Sequence, residues 1–359
     1  MKTILQGAAA LLIAGIFGLM TYSLYLSRPL FDEHLDTTIL ASPAIAPQDQ
    51  ALTFARFVIE DEVHTLLVEH ISNGQVQGFD LQPAFPGQHP IALYQQLGFD
   101  GLLALRAEHK TTSPEGTTVP ISALRQPQAF NYPHIAAGTN YAEHAEEVYV
   151  DDPPFLFPKL AKASTFNAPV KAMTSHLDFE AELCLVPLAD IAHPEQQVPM
   201  GLVLCNDFTD RWMLLRELRL AAAMGTTGFA SAKGRTGYLP VGYLLVIPRD
   251  PEFYTQIDFQ LYVNGEMRQN ASAQSMILKP QDIIRQAFIS AAQTYHRGEG
   301  SVRLLPSGQI PAGTLILSGT PGGVIFKPLN AWNPLLYLAP GDQVITAANF
   351  LGHLDNTVE

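Results

Sequence analysis

The sequence predicts an α+β protein dominated by β structure, and three observations carry that reading. Its apolar runs are short and bounded by turn residues: His134 to Ala137, Glu180 to Val186, Gly201 to Cys205, Tyr243 to Ile247, Ile257 to Val263 and Thr314 to Leu317. Helical periodicity is confined to Asn140 to Val148, Arg211 to Met224 and Pro280 to Tyr295, too few helices for an alternating βαβ array. The chain has 359 residues, 47% hydrophobic and 15% charged, which excludes a disordered chain and leaves ample apolar material for a large core.

In chain order, the first segment stands apart. Between Lys2 and Arg28 lie 25 uncharged residues, enough at ~1.5 Å per residue to cross a hydrocarbon layer of ~30 Å. Residues 1–27 are expected to form a transmembrane anchor. A cleaved signal peptide is the alternative, but its apolar core is shorter and no small-residue cleavage site follows closely. Lys2 precedes the span, while Arg28, Asp32 and Glu33 follow it. A margin of about one charge favours an inside N-terminus and an exported body. Residues 28–52, with Pro29, Pro43 and Pro47, are expected to be a linker. The strands Thr53 to Val58 and Val63 to Glu69, punctuated by Gly74 and Gly78, suggest a small β-rich domain over 53–125. The main domain follows over 126–357.

Asp and Glu outnumber Lys and Arg by 34 to 21, a net charge of −13, which argues against phosphate-backbone recognition. Cys184 and Cys205 are the only cysteines, so a cysteine-rich zinc site is excluded and any metal must use oxygen or imidazole. They are read as packing residues. Strand parity nonetheless places Cys184 on the face of Glu180 and Glu182 and Cys205 on that of Asp207, so the two could be neighbours, open to oxidation if the body is exported. There is no phosphate-binding Gly-Lys-Ser/Thr loop, Gly-x-Ser-x-Gly elbow or His-Glu-x-x-His helix.

Several segments carry candidate chemistry. In a strand over Leu177 to Leu183, period two puts Glu180 and Glu182 on one face. They are either a solvated polar edge or a buried pair that must share a proton, find cations or hold a metal. Asp207 ends the next apolar run. Three such carboxylates converging would suit Mg²⁺, Mn²⁺ or Ca²⁺. Asn140 and Glu143 have the spacing of a capping box opening a helix, and His144 then lies in the first turn with Glu147 at i+3, a candidate His–Glu dyad or an ordinary acidic surface. Arg211, Arg216, Arg219, Lys233 and Arg235 face only Glu217 across 211–235, a basic stretch suited to an anionic substrate. Ser318 to Gly323 is a glycine turn whose Thr320 hydroxyl and free amides can hold an anion.

Taken in order, these segments resemble the fumarylacetoacetate hydrolase family, nearest its acylpyruvate hydrolase and oxaloacetate decarboxylase branch. The resemblance runs through Gly138 to His144, Pro154 to Lys159, Phe179 to Leu183, Asn206 to Arg211, Ala232-Lys233, Val263 to Gln269 and Ser318 to Val324. It implies a mixed β-sandwich roll core, usually a homodimer, with Mg²⁺ or Mn²⁺ held by Glu180, Glu182 and Asp207. By position, His144 and Glu147 would activate water and Lys233 would steady developing negative charge. Arg211, Gln269 and Thr320 are candidates to line the substrate site. The implied reaction is hydrolysis of a C–C bond in a β-diketo acid such as an acylpyruvate or fumarylpyruvate. Decarboxylation of oxaloacetate, isomerisation or dehydration on the same apparatus is the alternative, and a membrane-tethered ligand-binding protein without turnover is another. Family members often continue Lys-Ser-Phe and Ala-Arg-Asp where this chain has Lys233-Gly234-Arg235 and Asp210-Arg211-Trp212, at the presumed substrate wall.

Overall fold

A computed structural model describes residues 2–113 and 115–359. The N-terminal part comprises α1 (Lys2–Leu26), α2 (Thr38–Ala41), β1 (Ala51–Ile59), β2 (Glu62–Ser72), β3 (Gln75–Asp80), α3 (Pro90–Thr112) and β4 (Thr117–Pro120). The chain continues through β5 (Asn131–Gly138), α4 (Ala142–Glu147), β6 (Phe155–Lys159), β7 (Leu177–Asp178), β8 (Ala181–Pro187), β9 (Met200–Asn206) and β10 (Thr209–Asp210). Next come α5 (Arg211–Glu217), α6 (Phe229–Ala232), β11 (Leu245–Pro248), β12 (Asp258–Val263), β13 (Glu266–Ser272) and α7 (Pro280–Ile289). The last strands are β14 (Thr294–Arg297), β15 (Gly300–Arg303), β16 (Thr314–Leu317), β17 (Gln343–Ala348) and β18 (Gly352–Thr357).

Ten strands form one mixed sheet in the order β4-β3-β2-β1-β11-β9-β8-β16-β5-β6. Its pairs are antiparallel except β16 with β5. A four-stranded sheet, β13-β12-β17-β18, packs over β8 and β9. The α+β, mainly β class expected from the sequence is therefore the observed one. β8 and β9 lie mid-sheet and are buried on both faces, which is why they read as nearly unbroken apolar runs rather than alternating ones. Ala181 lies opposite Asn206 and Glu182 opposite Cys205. That register brings the start of β8 against the end of β9, and with them Glu180 against Asp207.

Four expectations need correction. The 53–125 region is not all β: α3 fills its centre, and β1 pairs with β11, so the main sheet runs on through it without a break. Gly98 and Gly101 interrupt the helical pattern of α3, and Gly98 sits at φ 65 inside it, which masks the helix from a periodicity reading. Residues 28–52 do not hang free. Leu35 donates its amide to Gly265 O, Glu33 accepts from Met267 N, and Phe31, Leu35 and Leu40 pack on Tyr262, Met267 and Ile345. The helix at 211 is shorter than expected, ending at Glu217, and the one at 280 ends at Ile289. Finally, Cys184 and Cys205 are joined in a disulfide between β8 and β9, fully buried, rather than packing as free thiols.

Among the described residues one helix is long and apolar enough to cross a membrane, over Gln6–Leu26. Its exposed side chains include Leu11, Leu12, Ile13 and Phe17.

The disulfide closes a hairpin of 21 residues, a loop for which chain entropy gives about 3 kcal/mol. Cys184→Ala with Cys205→Ala is expected to lower unfolding stability by about that amount in a denaturant titration. Unchanged midpoints in oxidised wild type and the double variant would show that the bridge adds nothing.

Candidate active site

β8 and β9 deliver the centre of the site. Glu180 precedes β8, Glu182 is its second residue, and Asp207 follows β9. The Asp207 amide donates to Glu180 O at 2.8 Å and the Glu180 amide to Asn206 Oδ1 at 3.0 Å, so both chain ends are locked where their carboxylates meet. One oxygen from each of Glu180, Glu182 and Asp207 lies within 4.8 Å of the others, and all three residues are buried.

Three buried cations surround these acids. Lys233, capping the C-terminus of α6, donates to Glu180 Oε2 at 2.6 Å and Asp207 Oδ2 at 3.0 Å. Lys159, the last residue of β6, donates to the other oxygen of Asp207 and to Tyr238 O. Arg211, the first residue of α5, binds Asp178 Oδ2 at 2.8 Å and Glu180 Oε1 at 2.7 Å. Counting Asp178, four carboxylates meet three cations, which leaves one negative charge over. The excess falls on Glu182. Its Oε2 accepts from Gly319 N at 2.6 Å, but its Oε1 is buried without a partner.

The proton affinities follow. Burial pushes the Glu182 carboxyl well up, and Asp207 and Glu180 push it further, against a smaller opposing pull from Lys233. Burial acts to raise Glu180 too, but Lys233 and Arg211 outweigh it and hold it down to about 2. For Lys233 burial favours the neutral amine, yet Asp207 and Glu180 win and raise it. Burial wins at Lys159, which is lowered despite Asp207.

A buried, unpartnered carboxylate oxygen beside two further carboxylates fits a hard divalent cation, whose preferred ligands are oxygens. Glu180, Glu182 and Asp207 are the residues that can hold it.

The second candidate group lies on the same cavity, of about 380 Å³, that Glu180 lines. His144 lines the cavity, with Nδ1 3.9 Å from Glu147 Oε2, wider than a hydrogen bond. Glu147 accepts from Gly323 N at 2.9 Å and lies 3.4 Å from Lys327 Nζ. Burial raises its proton affinity, but the contacts with His144, Lys327 and Gly323 outweigh burial and leave it lowered. The expected capping box is absent. Tyr141 occupies the N-cap of α4, and Asn140 instead bonds Ser318 O and Leu278, joining α4 to the glycine turn.

Of the residues singled out from sequence, Glu180, His144, Arg211, Lys233 and Thr320 line this cavity, while Glu147, Glu182, Asp207 and Gln269 stand behind its wall. Gln269 is wholly buried. It accepts from Ala181 N and donates to Thr320 Oγ1 at 2.9 Å and Pro321 O at 3.0 Å, so its amide holds the glycine turn in place. Lys159 and Asp178 join the cluster without having stood out as candidates in the sequence. The signal for Lys159 is a lone cation ending the apolar strand Phe155 to Pro158, and for Asp178 a carboxylate two residues before Glu180. A larger cavity of about 600 Å³, between α3 and α7, contains none of these residues.

The C-terminal profile of the fumarylacetoacetate (FAA) hydrolase family matches residues 133–359. An uncharacterized protein of Staphylococcus saprophyticus is 29% identical over 231 residues, 62% of this chain and 67% of that protein. One from Staphylococcus aureus is 29% identical over 227 residues, 61% of this chain and 66% of its own, so the alignments span about two thirds of the relatives' length. Among solved structures, the fumarylacetoacetate hydrolase of Exiguobacterium antarcticum shares the fold, with a TM-score of 0.59, 22% identity and coverage of 86% and 99%. So does a probable 2-hydroxyhepta-2,4-diene-1,7-dioate isomerase from Mycobacterium abscessus, with a TM-score of 0.55, 24% identity and coverage of 86% and 98%. A maleylpyruvate hydrolase from Sphingobium, solved with manganese(II) and pyruvate, has a TM-score of 0.53 at 18% identity, covering 85% and 98%. Hydrolases and isomerases thus share this architecture. With the family profile spanning well over half of its residues and the carboxylate cluster inside that span, the chain belongs to the fumarylacetoacetate hydrolase family.

Proposed function

We propose that the protein is a divalent-metal-dependent hydrolase that cleaves a C–C bond in a β-diketo acid of the acylpyruvate or fumarylpyruvate type. The observation that carries this reading is the unpartnered Glu182 oxygen among three buried carboxylates, one wall away from the His144–Glu147 pair. The manganese and pyruvate in the Sphingobium maleylpyruvate hydrolase support the same reading of ligand and substrate class.

A Mg²⁺ or Mn²⁺ ion held by Glu180, Glu182 and Asp207 supplies Lewis acidity toward a dicarbonyl and offsets the negative charge left in the cluster. Arg211 and Thr320 face the cavity where the substrate carboxylate sits. His144 removes a proton from water as the hydroxyl adds to the acyl carbonyl, and Glu147 holds the imidazole and stabilises its cationic form. At 3.9 Å the His144–Glu147 pair is wider than a hydrogen bond, and contacts of this kind tighten in the Michaelis complex. The C–C bond then breaks with its electron pair on the methylene carbon. Lys233 stabilises the resulting enolate charge; at about 4 Å and an effective dielectric near 20, a unit charge contributes roughly 4 kcal/mol. Protonation of that carbon gives pyruvate from an acylpyruvate, with the acyl group released as a carboxylate. Gln269 acts as a positioning residue through Thr320.

We further read residues 1–27 as a single-pass anchor and the body as a homodimer. The buried disulfide supports a body on the oxidising side of the membrane.

Full-length protein assayed on acylpyruvates, fumarylpyruvate and oxaloacetate should release pyruvate and a carboxylic acid from the first class only with Mg²⁺ or Mn²⁺ present, and lose that activity on chelation. Carbon dioxide from oxaloacetate as the dominant product would replace hydrolysis by decarboxylation. Glu182→Gln should weaken Mg²⁺ and Mn²⁺ binding by more than about a hundredfold in calorimetry, beyond what loss of an outer-sphere partner brings; an unchanged isotherm removes the metal site. His144→Ala should retain the wild-type metal isotherm while kcat falls about 10²–10⁴-fold. A fully active variant refutes water activation by His144.

A further inference from the structure

The substrate cavity has a polar floor and an apolar wall. Arg211, Lys233, Glu180 and His144 cluster at one end, while Val148, Leu214, Leu218, Met224 and Phe229 line the rest. At about 380 Å³, it has the size of sites that take drug-sized ligands, on the order of 300–1,000 Å³. A keto acid of a few carbons would fill the floor and leave this wall in water.

The cavity's mouth is apolar as well. Leu220, part of the lining, is 95% exposed. The only two tryptophans of the chain, Trp212 and Trp332, lie half-exposed at 46% and 48%, each next in sequence to a lining residue, Arg211 or Ala331. Tryptophan with an apolar body and a polar edge favours the boundary between lipid and water.

The end of α1 meets the same rim. Ser23 is fully buried and accepts from Asn333 Nδ2 at 2.9 Å. Asn330 Nδ2 reaches Ser27 Oγ at 2.8 Å, and Lys327 Nζ reaches Leu26 O at 3.0 Å. The segment that grips the helix end also supplies Phe326, Pro328 and Ala331 to the cavity. A bilayer holding α1 therefore has its surface beside the pocket mouth.

We infer that the substrate is an amphiphile, a keto acid head carrying a long apolar tail, drawn from the lipid surface against which α1 holds the pocket. The head lies on Arg211 and Lys233 and the tail along Leu214, Leu218 and Met224. This rests on the keto-acid reading of the site, and separates from the hydrolase step because binding alone reports it.

The test uses the protein in detergent micelles with Mg²⁺, titrated by calorimetry with 2-oxo acids whose tails grow from about two to about twelve carbons, each affinity referred to the acid's free aqueous concentration after its micelle partition is measured separately, so that each buried methylene is expected to tighten binding about fourfold until the wall is covered. Affinity flat across the series overturns the inference, even if short acylpyruvates are cleaved. Affinity rising with tail length without C–C cleavage of the matching acylpyruvates upholds it and removes the hydrolase reading. Leu218→Glu, a change on the exposed-side wall, should flatten the slope; a slope as steep as wild type places the tail elsewhere and overturns the assignment. With the longest acid supplied in phosphatidylcholine vesicles, Trp212→Ser combined with Trp332→Ser should slow uptake several-fold. An equal rate overturns delivery from lipid.

Discussion

The structure depends on a buried set of charges that must be satisfied together. Asp178, Glu180, Glu182 and Asp207 face Lys159, Arg211 and Lys233, all nearly or wholly without solvent. Removing an ion from water costs several kcal/mol even after relaxation, and pairing rarely does more than offset it. Such a cluster is a poor stabiliser, and its retention at the centre of a large β core points to chemistry. It also makes the surrounding elements interdependent, since Lys159 comes from β6, Arg211 from α5, Lys233 from α6 and the acids from the β7–β8 and β9 ends.

The glycine turn after β16 links this cluster to the dyad. Glu182 accepts from Gly319 N, and Glu147 accepts from Gly323 N, so one carboxylate from each group grips the same five residues. Backbone at φ 89 for Gly319 and φ 103 for Gly323 is open to glycine and strained for other residues. At Gly323 a Cβ would stand 2.0 Å from Arg268 O. Close approach of this turn to β13 is what lets Gln269 bind Thr320 and Pro321 from behind. Displacement of the turn moves the Glu182 and Glu147 partners together.

The legible parts of the molecule were those in which one residue's position is set by local period. Parity put Glu180 and Glu182 on one side, and a strand end put Asp207 nearby. The β strands from His134 onward appear as short apolar runs for the same reason. Helix α3 was not legible because its glycines break the pattern and little of its surface is buried. Asn140 illustrates a different failure: its spacing to Glu143 fits a cap, but the amide is claimed by Ser318 and Leu278, contacts made across 178 and 138 residues. Arg211 and Gln269 show the same limit. Arg211 does line the cavity, but its pairing with Asp178 and Glu180 is set by the fold, and Gln269, expected to line the substrate site, is committed entirely to backbone and Thr320.

Lys327 joins the outer and inner halves of the architecture. Its ammonium donates to Leu26 O at the last turn of α1, where carbonyls lack helical partners and the helix dipole favours a cation. The same ammonium lies 3.4 Å from Glu147 and contributes to keeping that carboxylate ionised. An ionised Glu147, 3.9 Å from the His144 ring, is the charge on which the proposed role of His144 depends. The side chain that ties down the apolar helix is thus one of the charges acting on Glu147, so the helix end and the His144–Glu147 pair share a single electrostatic neighbourhood. Releasing the end of α1 would therefore free the Lys327 ammonium from Leu26 O and alter the charge beside Glu147.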